Sequence, residues 1–557
     1  MLCLAFCCLG WGEKGRAIAP PLPPNDPLPY GAAMPPIRQP ILGTMPNPTP
    51  ESVIVTAAQM QAIEARLFAA GMPVAALMEK VAGRITQQVI QRYPDPTTKF
   101  GLVVGPGHNG GDALVVAREL HFRGYPVVIQ SAFDRPKELT ASHAAYVRSL
   151  GVPFYPTLEG LADCDVVIDG LFGMGLTRSL TDDLASLVQT LNQWSQPILS
   201  IDLPSGLHTD TGAVLGMAVQ ASHTFCLGLW KRAFFHDAAL AYLGTSERID
   251  FDIPTTDIEA VLGTSTAGRD LQITSAAAVA ALPLPRPADT YKYQQGHLLL
   301  LAGSRTYPGA AILAAQAARA SGVGMLSVGV PQSLVSLVVA QVPDALVIGL
   351  PETKEGAIAH LPDDLDLTRY TVIAAGPGLT PAPIRVIAAL LRSDRPLVLD
   401  ADGLNILAQV PEVDLRGRSA PTLLTPHPGE FRRLFPHLTG TDRLDQARSA
   451  AHSSGAIILL KGARVAIAHP TSGTVWVNPR STPALARGGS GDILTGMLGG
   501  LLSQGTLRQI SPESIAQAAV WWHAQAGLKA AQDRTELGVD ATTLTQYLLP
   551  TLSWMLS

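Results

Sequence analysis

At 557 residues the chain is several times the length of a typical domain of about 150, so a single small domain is excluded. Hydrophobic residues make up 47% against 15% charged, with 51 Gly and 45 Pro, which excludes wholesale disorder and suits compact enzymes rich in tight turns. Lys and Arg number 40 against 45 Asp and Glu, a net charge of −5 that supplies no pull toward nucleic acid or an anionic membrane, so small molecules are the expected partners.

The opening segment, MLCLAFCCLGWGEKGR, is apolar before it is basic, the reverse of a secretory signal. Prolines crowd the stretch from Ala19 to Pro50, and at that density they favour extended chain without internal hydrogen bonds. Residues 1–50 are therefore expected to be a disordered Pro-rich extension, with Met34 and Met45 as alternative starts. Three of the five cysteines (Cys3, Cys7, Cys8) lie in that segment, leaving Cys164 and Cys226, too few for a disulfide framework; a reducing, cytoplasmic setting fits.

Ordered sequence begins near residue 51, where Thr56 is placed to cap a helix. Short β-rich runs follow (FGLVVGPG, YPVVIQSA, CDVVIDGLFG, QPILSIDLPSG, HTFCLGL), separated by helical stretches, the alternation of βαβ units around a parallel sheet. From Ile253 to Pro287 the strand-like runs stop and turn residues dominate, which places a boundary near residue 270. The rhythm restarts with HLLLLAGS, GMLSVGVP, YTVIAAGPG, RPLVLDADG, APTLLTPHPGE, AIILLKG and GTVWVN, and a long helical tail runs from Gly491. The uncharged stretch from Ala320 to Pro343 is broken by Gly and Pro and reads as buried strands and turns, not as a membrane span. The fold class is α/β in two domains, 51–265 and 270–555.

In a parallel sheet, residues just past the carboxyl ends of neighbouring strands converge on one crevice. After FGLVVG come Gly105, Gly107, Gly110 and Gly111, with Asn109 and Asp112 beside a helix start, a turn suited to phosphate or ribose. Asp169 and a second glycine turn follow DVVI; Asp202 and Ser205 follow ILSI. Each glycine turn alone is consistent with being only a turn. Together Asn109, Asp169 and Ser205 offer hard oxygen ligands with too few carboxylates for a tight divalent cage, which suits a monovalent cation.

The series VTAAQM, LMEKVAG, GPGHNGGDA, DGLFGMGL and IDLPSGL resembles the epimerase domain of the NAD(P)H-hydrate repair enzymes over roughly Val53 to Ile253. The resemblance implies a Rossmann-like domain that interconverts the R and S hydrates of NADH and NADPH at C6. By motif position it implies substrate contacts from His108, Asn109, Gly110, Gly111 and Asp112, from Gly173, Met174, Gly175, Leu176, Thr177, Arg178 and Ser179, and from Asp202, with K+ held by Asn109, Asp169 and Ser205. The family loop more commonly has Asn and Gly where this chain has His108 and Ala113, and Thr where it has Met174. Asp202 has two roles open to it: moving the proton, or orienting a ribose or amide.

The second constellation is LARGGSGDILTGMLGGLLSQG. Gly488, Gly489 and Gly491 precede a helical run, so free backbone N–H groups and the positive end of the helix dipole point at one spot suited to a transferring phosphoryl group, with Asp492 beside it as base. A helix cap is the simpler reading of the same residues. No Walker loop occurs. Upstream strand ends add Lys461, His427, Glu430, Gly376, Gly378, Asp400 and Asp402; His427 also reads as a satisfied histidine between prolines.

GHLLLLAGS, YPGAA, GPGLT, DADGLN, TPHPGE, LLKG and GGSGD resemble the ribokinase-like dehydratase domain of the same repair family from about Leu271 to Leu552. The resemblance implies that Ala310, Gly378, His427 and Asp492 contact the S hydrate, that Lys461, Gly462, Ala463, Arg464, Val465 and Gly491 contact ADP, and that Mg2+ bridges the phosphates, with Asp492 as general base. The expectation is a bifunctional isomerase and lyase, its partners NADHX, NADPHX and ADP, assembled as a homo-oligomer. Two alternatives stay open: a vitamin or sugar kinase with a fused ligand-sensing domain, and a non-catalytic nucleotide-binding regulator.

Overall fold

A computed structural model describes residues 49–131, 133, 135–410, 415–440 and 442–556. The Pro-rich extension lies, up to residue 48, outside the described residues. Among the described residues no helix is long and apolar enough to cross a membrane.

Two sheets organise the described residues. The first has seven strands, all parallel, in the order Phe154–Tyr155, Val127–Gln130, Phe100–Val104, Val166–Gly170, Ile198–Ile201, His223–Leu227 and Thr245–Ile249. Its central strands are buried along their whole length, because helices cover both faces and every apolar side chain finds a partner. The chain winds outward from Phe100–Val104 in one direction and then returns to lay Val166–Gly170 on the other side. That reversal opens a crevice at the carboxyl ends of these two adjacent strands.

The second sheet has seven parallel strands, in the order Leu346–Leu350, Met325–Pro331, His297–Leu301, Val372–Ala375, Leu397–Leu399, Thr422–Leu424 and Ile457–Leu460. It continues through the antiparallel Ala466–Ala468 and Val475–Val477 to Asp270–Gln272, Val53–Val55 and Trp230–Lys231. Two strands from the N-terminal part of the chain thus extend the sheet of the C-terminal part. The helix Ser490–Leu507 packs on Pro308–Ala320 so closely that a Cβ at Gly496 would lie 1.9 Å from the Ala314 carbonyl oxygen.

Thr56 caps Ala57–Ala69 as anticipated, in a reciprocal capping box with Gln59. Other elements depart from the sequence reading. Between Ile253 and Pro287 the chain forms not only turns but the helices Thr255–Leu262 and Ser275–Ala280 and the strand Asp270–Gln272. Three residues are too few to show a period, and it is pairing to Val53–Val55 and Val475–Val477 that makes that segment a strand. The uncharged stretch from Ala320 holds the strand Met325–Pro331 but continues as the helix Val335–Gln341 with Val338 buried, so part of what reads as strand and turn is helical.

Two candidate active sites

The crevice of the first sheet is a cleft of about 520 Å3. Its walls come from the Ala57–Ala69 and Val74–Arg92 helices, the start of His108–Phe122, the loop after Val166–Gly170, and Asp202 and Lys231. Of the residues expected to touch substrate, His108, Asn109, Asp112, Gly173, Met174, Gly175, Leu176, Thr177, Arg178 and Asp202 line it.

Gly110, Gly111 and Ser179 are not among the residues lining it. The helix begins at His108, so Gly110 and Gly111 lie within its first turns and face inward. A Cβ at Gly110 would sit 2.0 Å from the Gly105 carbonyl oxygen, and one at Gly111 would meet the Met78 thioether. Gly110 lets the helix close on the end of the strand beneath it, and Gly111 lets it close on the Val74–Arg92 helix. Ser179 is exposed beyond the cleft wall.

Asp202 has a left-handed backbone, φ 67°, uncommon for a residue with a side chain and held here by what surrounds it. Both its carboxylate oxygens are engaged: Oδ1 accepts from Lys231 Nζ at 2.7 Å and Oδ2 from the Met174 N–H at 2.9 Å. Lys231 is 1% exposed and also donates to the Leu227 carbonyl; burial opposes its charge, but Asp202 and Cys226 more than offset this and hold its pKa above the usual lysine value. Two further carboxyls face the cleft without a hydrogen-bond partner among the described residues. Burial, with repulsion from Asp202 and Glu64, drives Asp112 well above the carboxylate range, and burial pushes Glu64 up to about 7 against the attraction of Lys231. Neither Glu64 nor Lys231 is evident from the strand-end motifs. Gln61, Glu64 and Phe68, spaced to share one helical face, were the available signal.

Beneath this layer Asp169, fully buried, accepts at Oδ1 from the Ser205 hydroxyl (2.7 Å) and the Leu171 N–H (3.2 Å), and at Oδ2 from the Ser200 hydroxyl and the Ser205 N–H (both 2.9 Å). Ser205 Oγ also accepts from the Phe172 N–H at 2.8 Å. Asn109 lies beside them, its Oδ1 next to Gly173 and its amide nitrogen buried without a partner among the described residues.

In the second sheet the Gly-Gly-Ser-Gly-Asp segment does form a helix start. Gly489, at φ 92°, precedes Ser490–Leu507, and Asp492 lies in the first turn. Asp400, 1% exposed, accepts from Lys461 Nζ at 2.6 Å and from the Thr495 hydroxyl at 2.7 Å. Burial raises its pKa, but Lys461 and Thr495 outweigh that and hold it below the usual value. Asp492 takes the opposite course: burial and the nearby Asp400 charge push it up to about 6, with Lys461 pulling the other way. A Cβ at Gly491 would lie 3.4 Å from Lys461 Nζ and 3.5 Å from Asp400 Oδ2, so the cradle, the base and the ion pair share one spot.

A Cβ at Gly378 would come within 2.9 Å of Ala310 Cβ, so these two expected contact residues are neighbours. His427 caps the Pro428–Leu434 helix: its Nδ1 accepts from the Gly429 and Glu430 N–H groups, and Glu430 returns a bond to the His427 N–H at 2.8 Å. The satisfied-histidine reading therefore holds for its Nδ1, while half of the ring stays exposed. Gly462 and Ala463 are exposed on the turn after Ile457–Leu460, whereas the Arg464 side chain is largely enclosed, with burial lowering its pKa.

Residues 298–550 match the family model for NAD(P)H-hydrate dehydratase, and residues 74–233 match that for the YjeF-related protein N-terminus. The chain is 53% identical over 502 residues to a bifunctional NAD(P)H-hydrate repair enzyme of Thermosynechococcus vestitus, covering 90% of this chain and 97% of that one. It is 33% identical over 521 residues to one of Moorella thermoacetica, covering 89% and 96%. An ADP/ATP-dependent NAD(P)H-hydrate dehydratase from Bacillus subtilis, co-crystallized with ATP and Mg2+, is 31% identical with a TM-score of 0.44, covering 51% of this chain and 98% of that one.

Proposed function

Given that the chain belongs to the bifunctional NAD(P)H-hydrate repair enzymes, we propose that its first cleft epimerises the R and S hydrates of NADH and NADPH at C6 and that the Gly489–Asp492 cradle serves the dehydration of the S form at the expense of ADP. Fusion then has a chemical reason, since the first site makes the substrate of the second.

The observation that carries the second assignment is Asp492, a carboxyl lifted to about 6 at the mouth of a helix N-terminus, beside the Lys461–Asp400 pair. A group so poised accepts the C6 hydroxyl proton as that oxygen attacks the terminal phosphorus of ADP and AMP departs. The free N–H groups at the helix start and Lys461 receive the charge of the moving phosphoryl group. The ring N1 lone pair then expels phosphate from C6, and loss of a C5 proton restores the double bond. Asp400 acts through Lys461, which it holds in place.

Magnesium, when bound, neutralises charge on the phosphate oxygens. Asp400 is occupied by Lys461 and Thr495, Asp402 by the Thr380 N–H and Asn405, and Glu430 by the His427 N–H; the residues therefore fit an ion held chiefly by phosphates and water. In the first cleft, Asn109, Ser205 and Asp169, with the Phe172 carbonyl, would hold potassium, the Ser205 hydroxyl turning its proton away from Asp169 to free an oxygen of each for the ion. One carboxylate among neutral oxygens suits a monovalent ion, and the Asn109 amide, whose nitrogen lacks a partner among the described residues, is free to turn its oxygen toward one. Potassium there supplies a positive charge under the substrate. Asp202, with both oxygens engaged, orients Lys231 and the Gly173–Met174 turn.

Purified protein given R and S hydrates with ADP and magnesium should consume both and release phosphate as the absorbance of the reduced nicotinamide returns, and Asp492→Asn should consume neither. A stable phosphorylated product would favour the kinase reading, and binding without turnover the regulator.

A further inference from the structure

The first cleft holds three carboxyls and one ammonium, and their hydrogen bonding separates their roles. Asp202 is fully engaged by Lys231 and the Met174 N–H. Asp112 is half-buried at the start of His108–Phe122, where desolvation together with the negative charges of Asp202 and Glu64 raises its pKa well above the usual value. Glu64 alone combines a position on the cleft wall, no hydrogen-bond partner among the described residues, and a charged group of each sign nearby. It sits midway along Ala57–Ala69, a helix pinned by the Thr56–Gln59 capping box and by Asp210 accepting from the Ala57 N–H at 2.7 Å, with Met60, Ile63 and Leu67 buried beneath. Gln61, Glu64 and Phe68 are presented to the cleft by that rigid scaffold.

We propose that Glu64 is the acid–base group of the C6 epimerisation, a role that rests on reading this cleft as the epimerase site. The N1 lone pair forms the C6=N1 bond as the C6–O bond breaks, and the Glu64 proton passes to the departing oxygen, releasing water. Water adds to either face of the planar C6, the electron pair returns to N1, and the proton lost by the water returns to Glu64. No oxidant or reductant takes part. Lys231 and Asp202 act on Glu64 from within the cleft and Asp112 lies at the start of His108–Phe122; His108, Lys137 and Arg178 are the other titratable groups lining the cleft. Arg66 and Asp257 pair with each other where Ala57–Ala69 packs on Thr255–Leu262. Burial raises Glu64 to about 7 and Lys231 tempers the rise, so at neutral pH the carboxyl is able both to give and to take a proton.

The test is conversion of R to S hydrate by the full chain in H2(18)O without ADP, for wild type, Glu64→Gln, Glu64→Asp and Asp112→Asn. Wild type should incorporate the label at C6, and its rate should fall as pH rises through about 7. Glu64→Gln should lose about 100-fold or more in kcat with KM within about threefold, and with no such pH limb, while Glu64→Asp retains part of the rate. ADP-dependent consumption of S hydrate by the same preparation reports that the variant is folded. Glu64→Gln with kcat near wild type, a pH limb unchanged by Glu64→Gln but removed by Asp112→Asn, or inversion without label would each overturn the proposal. Wild-type protein that leaves R hydrate untouched, yet consumes S hydrate with ADP, would instead overturn the assignment of the cleft itself, and the proposal with it.

Discussion

Lys231 and Arg232 are consecutive, yet each buries its charge against a different partner set: Lys231 Nζ lies 2.7 Å from Asp202 in the first cleft, whereas the Arg232 guanidinium reaches Asp270, Asp442 and Asp445 at 3.1, 3.1 and 2.9 Å. Asp442 also caps the helix Arg443–Ser454, and Arg443 donates to the Leu460 carbonyl, one residue before Lys461. A short run of side chains therefore joins the wall of one site to the wall of the other.

Replacing Arg232 by Met should leave Asp270 and Asp442 short of a counter-ion and lower stability by about 3 kcal/mol, the low end for a broken buried pair because Arg448 still faces Asp270. Epimerisation should fall more than dehydration, because Lys231 loses the anchor of its neighbour. Thermal unfolding followed by circular dichroism, with both activities measured on the same preparation, checks this.

Asp492→Asn should abolish phosphate release, by a factor on the order of 10² to 10⁴ for loss of a general base. It should also stabilise the fold at alkaline pH. The folded-state pKa, about 6, lies above the ordinary 3.8, so the contribution of this carboxyl to stability is whole below 3.8 and is lost as pH rises through about 6. The variant should melt above wild type at pH 8, with the gap closing toward pH 4, as read by calorimetry at the two pH values.

Two glycines of the cradle should respond differently to alanine. At Gly491 the added methyl meets only ordinary contacts at 3.4 and 3.5 Å, so folding should be unaffected while the KM for ADP rises about tenfold as the methyl intrudes on the phosphate path. At Gly489 the backbone is left-handed, and a Cβ would lie 2.8 Å from both Ala541 Cβ and Leu313 Cδ1; that variant should lose about 1 to 2 kcal/mol from the conformation alone. Steady-state kinetics beside melting curves distinguish the two.

Exchanging potassium for tetramethylammonium should slow epimerisation and leave dehydration of pure S hydrate unchanged. Ser205→Ala, which removes the hydroxyl joining Asp169 to Phe172, should abolish the difference between the two salts. Rates measured at equal ionic strength check both.

Much of the framework was legible in the chain. Runs such as FGLVV and HLLLL mark strands because a sheet covered on both faces demands continuous apolar sequence, and the residues following them had to fall at one crevice. That reasoning reaches Asp169, Asp202 and Ser205 directly. It does not reach Glu64, which arrives on a helix more than a hundred residues earlier, or Lys231, on a strand of two residues held in place by Val53–Val55. Nor does a motif distinguish a glycine that faces a ligand from one that lets a helix approach its neighbours, and at Gly110 and Gly111 the structure shows the close packing that the motif does not.

By itself the sequence determined the α/β class, the order of the strands' loops and the types of group each loop carries, because those depend on local periodicity and turn chemistry. Only the tertiary structure decided which carboxyl is paired, which is free and which has its ionisation opposed by burial and like charge. Those states depend on burial and on charges facing one another across space, as Glu64 faces Lys231 and Asp492 faces Lys461, between residues that chain order keeps far apart.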